Sequence, residues 1–139
     1  MAYDPNNIFA KIIRGEAPAF KVYEDAHAIA FMDIMPQAEG HTLVIPKEHA
    51  ESIFDLSSEG ASALIKATQK VAAAVREVMQ VPGVMLAQLN GAAAGQTVFH
   101  IHFHIIPRSA GIDLKFHARG TADFEKLKAL AARIAAAVK

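Results

Sequence analysis

An α+β domain built around a mostly antiparallel five-stranded sheet is the fold the sequence predicts, and three observations carry it. Five short runs read as strands. One long stretch from about Ser57 to Gln80, between the third run and the fourth, reads as helix, and a second helical stretch closes the chain. Across the 139 residues there is no internal repeat, low-complexity segment or linker, so residues 1–139 are expected to form a single domain.

The elements follow in order. "DPNNIFAKIIRG" opens as a short helix, with Asp4 as its expected cap, Pro5 in the first turn and Gly15 at its end. Ile8, Phe9, Ile12 and Ile13 form its apolar stripe. "FKVYED" and "AIAFMDI" are strand-like and joined at Asp25-Ala26-His27, a hairpin. "HTLVIP" is a third strand, stopped by Pro46. In the long helix Ser58 lies ahead of an Ala-rich segment in which Leu64, Val71, Val75 and Val78 recur near helical spacing, until Val81-Pro82-Gly83 breaks it. "VMLAQLN" is the fourth strand, "GAAAG" a tight loop, and "TVFHIHFHII" the fifth and longest strand. The last helix runs from about Asp123 to Val138, with Phe124, Leu127, Leu130 and Ile134 on one face.

Composition narrows the class. Hydrophobic residues make up 53% and charged residues 20%, the balance of a folded globular chain, and the formal net charge is zero. No basic surface argues for nucleic acid or an anionic membrane. Cysteine is absent, which removes disulfides, thiolate nucleophiles and cysteine-based zinc sites. The start "MAYDPNNIF" lacks the basic-then-apolar pattern of a secretory signal, and no apolar run approaches the roughly 20 residues that span a bilayer. A cytoplasmic protein is expected.

Three of the seven histidines fall in "HIHFHIIP", at alternate positions. On a strand, alternate side chains share a face about 6.6 Å apart, so His100, His102 and His104 would line one face while Ile101, Phe103 and Ile105 enter a core. A His-rich exposed strand with no role is an improbable decoration. A metal site and covalent catalysis are both open, because neutral imidazole is a zinc ligand and also a nucleophile. The preceding "NGAAAGQT" shifts the balance. Its glycines let backbone N–H groups approach an anion, and Gln96 and Thr97 add side-chain donors. The lysine of a P-loop is missing. His41 and His49 flank the third strand and are candidates for the same pocket.

"GQTVFHIHFHIIPR" resembles the signature of the histidine-triad (HIT) nucleotide-binding hydrolases and transferases. "NIFAKIIRGEAPAFKVYED", "AFMDIMPQAEGHTLVIPKEHA" and the long middle helix fall in that family's order, so the resemblance runs from about Ile8 to Arg108. The C-terminal helix is closer to bacterial members. The resemblance implies a HIT-like fold, a homodimer sharing one continuous sheet, and hydrolysis of nucleoside 5′-phosphoramidates with AMP or GMP moieties. In that reading His102 becomes a covalent nucleotidyl-histidine, His100 orients it partly through its carbonyl, and His104 contacts phosphate and assists the leaving group. His41 matches a fourth pocket histidine. Asp33 matches the ribose-binding acid, Ile34 lies against the base, and Phe103 joins the substrate contacts. Asn90, Gly95, Gln96 and Thr97 match the phosphate loop. No cofactor or metal is implied for the reaction.

One departure is visible. Many bacterial members read Cys-x-x-Cys where this chain has "NIFA", and the resemblance joins those cysteines to histidines matching His49 and His100 around a structural zinc. Here that set is broken, which leaves His49 as a hydrogen-bonding or structural partner. Two other functions stay open: a dinucleoside polyphosphate hydrolase, whose family branch shares Gly-Gln-Thr-Val before the triad, and a nucleotide-binding regulatory module with incidental turnover. A metal-binding protein is a weaker fourth.

Overall fold

The computed structural model describes residues 2–111 and 122–139. Helix α1 spans Ile8–Ile13, followed by strands β1 (Lys21–Glu24), β2 (Ala28–Met32) and β3 (Thr42–Pro46). Helix α2 (Ser58–Met79) then leads to β4 (Gly83–Gln88), β5 (Phe103–Arg108) and helix α3 (Phe124–Ala137). The sheet order is β1-β2-β3-β5-β4 and every pairing is antiparallel.

The two-residue period of a strand sorts side chains onto two layers. Ala28, Ala30 and Met32 of β2, Val44 of β3 and Ile105 of β5 pack with Leu64, Val71 and Val75 of α2 and Leu127, Leu130 and Ile134 of α3. The intervening Ile29, Phe31, Leu43 and Ile45 pack on the opposite face with Phe9 and Ile12 of α1. Because Leu43 stands directly across from His104, the α1 face is also where His104 lies. Asp33 is two residues beyond Phe31 and His41 two before Leu43, which continues that face past the strand ends.

Local chemistry corrects some expected boundaries. The cap of α1 is Asn7, whose side chain accepts from the Ala10 N–H, while Asp4 holds the preceding turn through the Asn6 N–H. Ser57 caps α2 and is gripped in turn by the Glu48 carboxylate. Gln80, in the left-handed region at φ 52°, ends that helix before Pro82 is reached. The largest correction concerns the fifth strand. It begins only at Phe103, so residues 97–102 approach it as irregular chain, held where the Ile101 N–H meets the Ala50 carbonyl. Pro107 lies inside it. It pairs with Val84 of β4, whereas pairing with β3 stops at Ile105, so no ladder hydrogen bond to β3 depends on its missing N–H. Gly40, at φ 90°, turns the chain into β3, and a Cβ there would lie 2.8 Å from Met79 Cγ.

Candidate active site

The chain brings His41, His102 and His104 together and turns His100 away from them. The ring centres of His102 and His104 are 4.9 Å apart, and those of His41 and His104 are 5.2 Å apart. The fully buried ring of His100 points instead toward the N-terminal segment. The expected row of three histidines on one strand face is therefore two histidines plus a support. The reason is the late start of β5: strand alternation holds only from Phe103 onward.

Hydrogen bonding fixes where each imidazole proton sits. A carbonyl can only accept, so the 2.7 Å contact between His102 Nδ1 and the His100 carbonyl places a proton on Nδ1. The lone pair of His102 is then on Nε2. His100 donates from Nε2 to the Pro46 carbonyl at 2.7 Å and accepts the Tyr3 hydroxyl at Nδ1, 2.6 Å away. At His41 the logic runs in reverse. The Gln37 N–H can only donate, and it donates to His41 Nδ1 at 2.9 Å, so this ring is protonated on Nε2. His41 Nε2–H is 3.0 Å from His104 Nδ1, which accepts, and His104 carries its own proton on Nε2.

This assignment requires neutral rings, and burial supplies them. Desolvation lowers His41 to about 3, with the neighbouring His104 and His102 adding to the effect. It lowers His104 and His100 to about 4. His102 is lowered as well, chiefly by burial, with the His100 carbonyl opposing. The carboxyl of Asp33 is pushed up by its own burial, against the pull of the Met35 N–H it accepts; Oδ2 lies 3.5 Å from His41 Nε2.

The loop before the histidines differs from the open cradle expected. Gly91 N–H goes to the Gln96 side-chain oxygen, Gly95 N–H to the Ala92 carbonyl, and Gln96 N–H to the Gly91 carbonyl. The Gln96 amide donates to the Glu51 and Val98 carbonyls, so it braces the loop instead of offering a donor. Asn90 is likewise engaged with Gln88 and with the Ile53 N–H. Thr97 is exposed and Gly95 holds φ 101°. Ile34 is half-exposed beside Asp33. Phe103 is a correction: it packs into the core beneath α2 and α3, on the face opposite His104.

The profile of the HIT domain family matches residues 14–111. The chain belongs to that family. A crystal structure of a Hit-like protein involved in cell-cycle regulation from Bartonella henselae superposes with a TM-score of 0.91 at 52% identity, covering 98% of this chain and 99% of that one. "Protein hit" of Bacillus subtilis is 48% identical over 103 residues, 74% of this chain and 71% of its own length. The adenosine 5′-monophosphoramidase HNT1 of Saccharomyces cerevisiae is 38% identical over 123 residues, 86% and 75% of the two chains.

Several members of this HIT site were not singled out in the sequence as parts of the pocket. Phe9 of α1 stands edge-on to His102, with ring centres 4.9 Å apart. Its place in the apolar stripe marked it for burial and nothing more. The Gln37 N–H and the Pro46 carbonyl are backbone groups, which no residue type signals. His49 is stacked on Tyr3, 4.6 Å centre to centre.

Asp33, His41 and His104 also converge closely enough to resemble a cation site, with ligand atoms within 4.8 Å of one another. The Gln37 N–H argues against it. With Nδ1 accepting, a metal on His41 Nε2 would need an imidazolate. A cavity of about 760 Å³ opens elsewhere, beside the start of α2, where Lys47, Glu48, Lys66 and Lys70 are among its lining residues; His41, His100, His102 and His104 do not line it. Among the described residues no helix is long and apolar enough to cross a membrane.

Proposed function

We propose that this HIT-family protein hydrolyses nucleoside 5′-phosphoramidates of the purine series through a nucleotidyl-histidine on His102. The observation that supports it most is the state of that ring. Its proton is held on Nδ1 by the His100 carbonyl, so a neutral lone pair is left on Nε2. In the first step Nε2 bonds to the α-phosphorus and the P–N bond breaks. The departing amine takes one proton from solvent, passed through a water or the Thr97 hydroxyl. In the second step water attacks phosphorus, the P–Nε2 bond breaks, and one proton returns to solvent. The products are the free amine and a nucleoside monophosphate. His104 Nε2–H, fixed by the His41 chain, donates to a phosphoryl oxygen as charge builds there. Asp33 takes the ribose hydroxyls and Ile34 lies against the base.

An amine rather than a polyphosphate is the leaving group in this reading. A polyphosphate brings extra negative charge that wants cations, and the segment 90–104 contains no lysine or arginine. Arg108 is four residues past His104 on β5, about 13 Å along a strand. Parallel assays on adenylyl-lysine and diadenosine triphosphate test this. The expected result is a higher kcat/KM for the first, and a clear preference for the second would move the protein to the polyphosphate branch.

A homodimer belongs to the same reading. Among the described residues β4 has β5 as its one neighbour in the sheet, and Leu86 on it is 44% exposed. An apolar edge strand of this kind is a template for another strand, and pairing with β4 of a second copy would continue the sheet. Sedimentation at micromolar concentration is expected to give twice the 14.9 kDa chain mass, and a monomer there would remove the dimer from the proposal.

A further inference from the structure

The zinc that the resemblance gives to cysteine-bearing members does not fit the residues of this chain. Its cysteine positions are Asn7, which caps α1, and Ala10, which is buried in that helix. Both ring nitrogens of His100 are already bonded. What stands between the two histidines instead is a phenol. Tyr3 stacks on His49 with an interplanar angle of 16° and meets His100 edge-on at 5.6 Å.

We infer that Tyr3 is a positioning residue for His102, acting through His100: its hydroxyl donates to His100 Nδ1 while its ring rests on His49. This rests on the reaction proposed above for its kinetic consequence. His100 is 0% exposed, so without the Tyr3 hydroxyl its Nδ1 would be a buried acceptor with no donor. With it, the ring is held at both nitrogens, by the N-terminal segment on one side and by the end of β3 on the other. The backbone of the same residue presents the carbonyl that takes the His102 proton. Residues 97–102 have no sheet ladder to hold them. The Tyr3 and Pro46 bonds to His100, with the Ile101 N–H on Ala50, replace it. Losing the phenol proton frees the His100 ring to change tautomer or rotate, and the aim of His102 Nε2 loosens with it. Substrate contacts are untouched, so the loss falls on kcat.

Tyr3→Phe in the full chain tests this, because it keeps the stack on His49 and removes only the hydroxyl. Two measurements are made: kcat and KM on an adenosine phosphoramidate, and ¹⁵N resonances of the imidazoles without substrate. The expected result is a kcat about tenfold lower with KM within about twofold, the scale of one lost hydrogen bond felt in the transition state. The His100 Nδ1 resonance should move toward an unbonded lone pair. A variant that loses thermal stability but keeps its kcat would make Tyr3 merely structural and overturn the inference. An unmoved Nδ1 resonance would overturn it as well. The resonance needs no turnover, so a protein inactive on every phosphoramidate would sink the proposed reaction while the hydroxyl bond was still decided.

Discussion

His102→Ala is expected to lower turnover by about 10⁴-fold or more, the scale on which removing a covalent nucleophile acts, while nucleotide still binds. The argument starts from geometry. His102 is the one imidazole in the cluster whose Nε2 carries a lone pair; His41 and His104 carry protons there. Neither can replace it without reversing the chain of bonds that begins at the Gln37 N–H. Alanine also leaves the His100 carbonyl without its donor, at a cost of about 1–3 kcal/mol in stability. His102→Asn separates that cost from the chemistry, because its amide can still donate toward the carbonyl yet offers no nucleophile. Both variants should be inactive, with Asn the more stable. Mass spectrometry of wild type quenched and kept at alkaline pH, where a P–N bond survives, should find one nucleoside monophosphate on a histidine, and neither variant should show it. Near-normal turnover by either variant would end the covalent mechanism.

How much of this could be read in the sequence depended on the kind of signal. Strands β2 and β3 and the faces of α2 and α3 were legible because burial has a period, and Leu64, Val71, Leu130 and Ile134 keep it. The clustering of His41 with His104 followed from the family pattern, and the register Leu43 to His104 gives its physical cause. Alternation does not place the His100 ring, because residues 97–102 are not strand and the Ile101 N–H bonds to Ala50 and not to a ladder. Residue type makes Gln96 a candidate donor to an anion but says nothing about where its amide hydrogens go. Two carbonyls, from Glu51 and Val98, take them. The resemblance puts Phe103 among the substrate contacts, whereas alternation places it opposite His104, against the core.

Acidification is expected to weaken the fold well above the range where carboxylates titrate. Burial holds His41 to about 3 and His100 and His104 to about 4, so the native chain refuses protons that the unfolded chain accepts near 6.5. Their stabilisation is complete above that pH and is lost as pH falls below it, by about 1.4 kcal/mol per unit for each histidine. By pH 5 each gives up about 2 kcal/mol and the three together about 6, against a usual total of about 5–15. His102 adds in the same direction. Asp33 opposes them: its raised carboxyl binds a proton more readily when folded, which returns some stability as the pH drops. Glu24, Asp25 and Asp55, all lowered, add to the loss only near and below the ordinary carboxylate range. The urea midpoint, measured at fixed protein concentration from about pH 7.5 to about pH 4.5, should begin to fall near pH 6.5. His41→Gln should fall less steeply. A midpoint flat across that interval would mean that the buried histidines keep their protons in the native state. The neutral lone pair on His102, on which the proposed chemistry depends, would then lose its support.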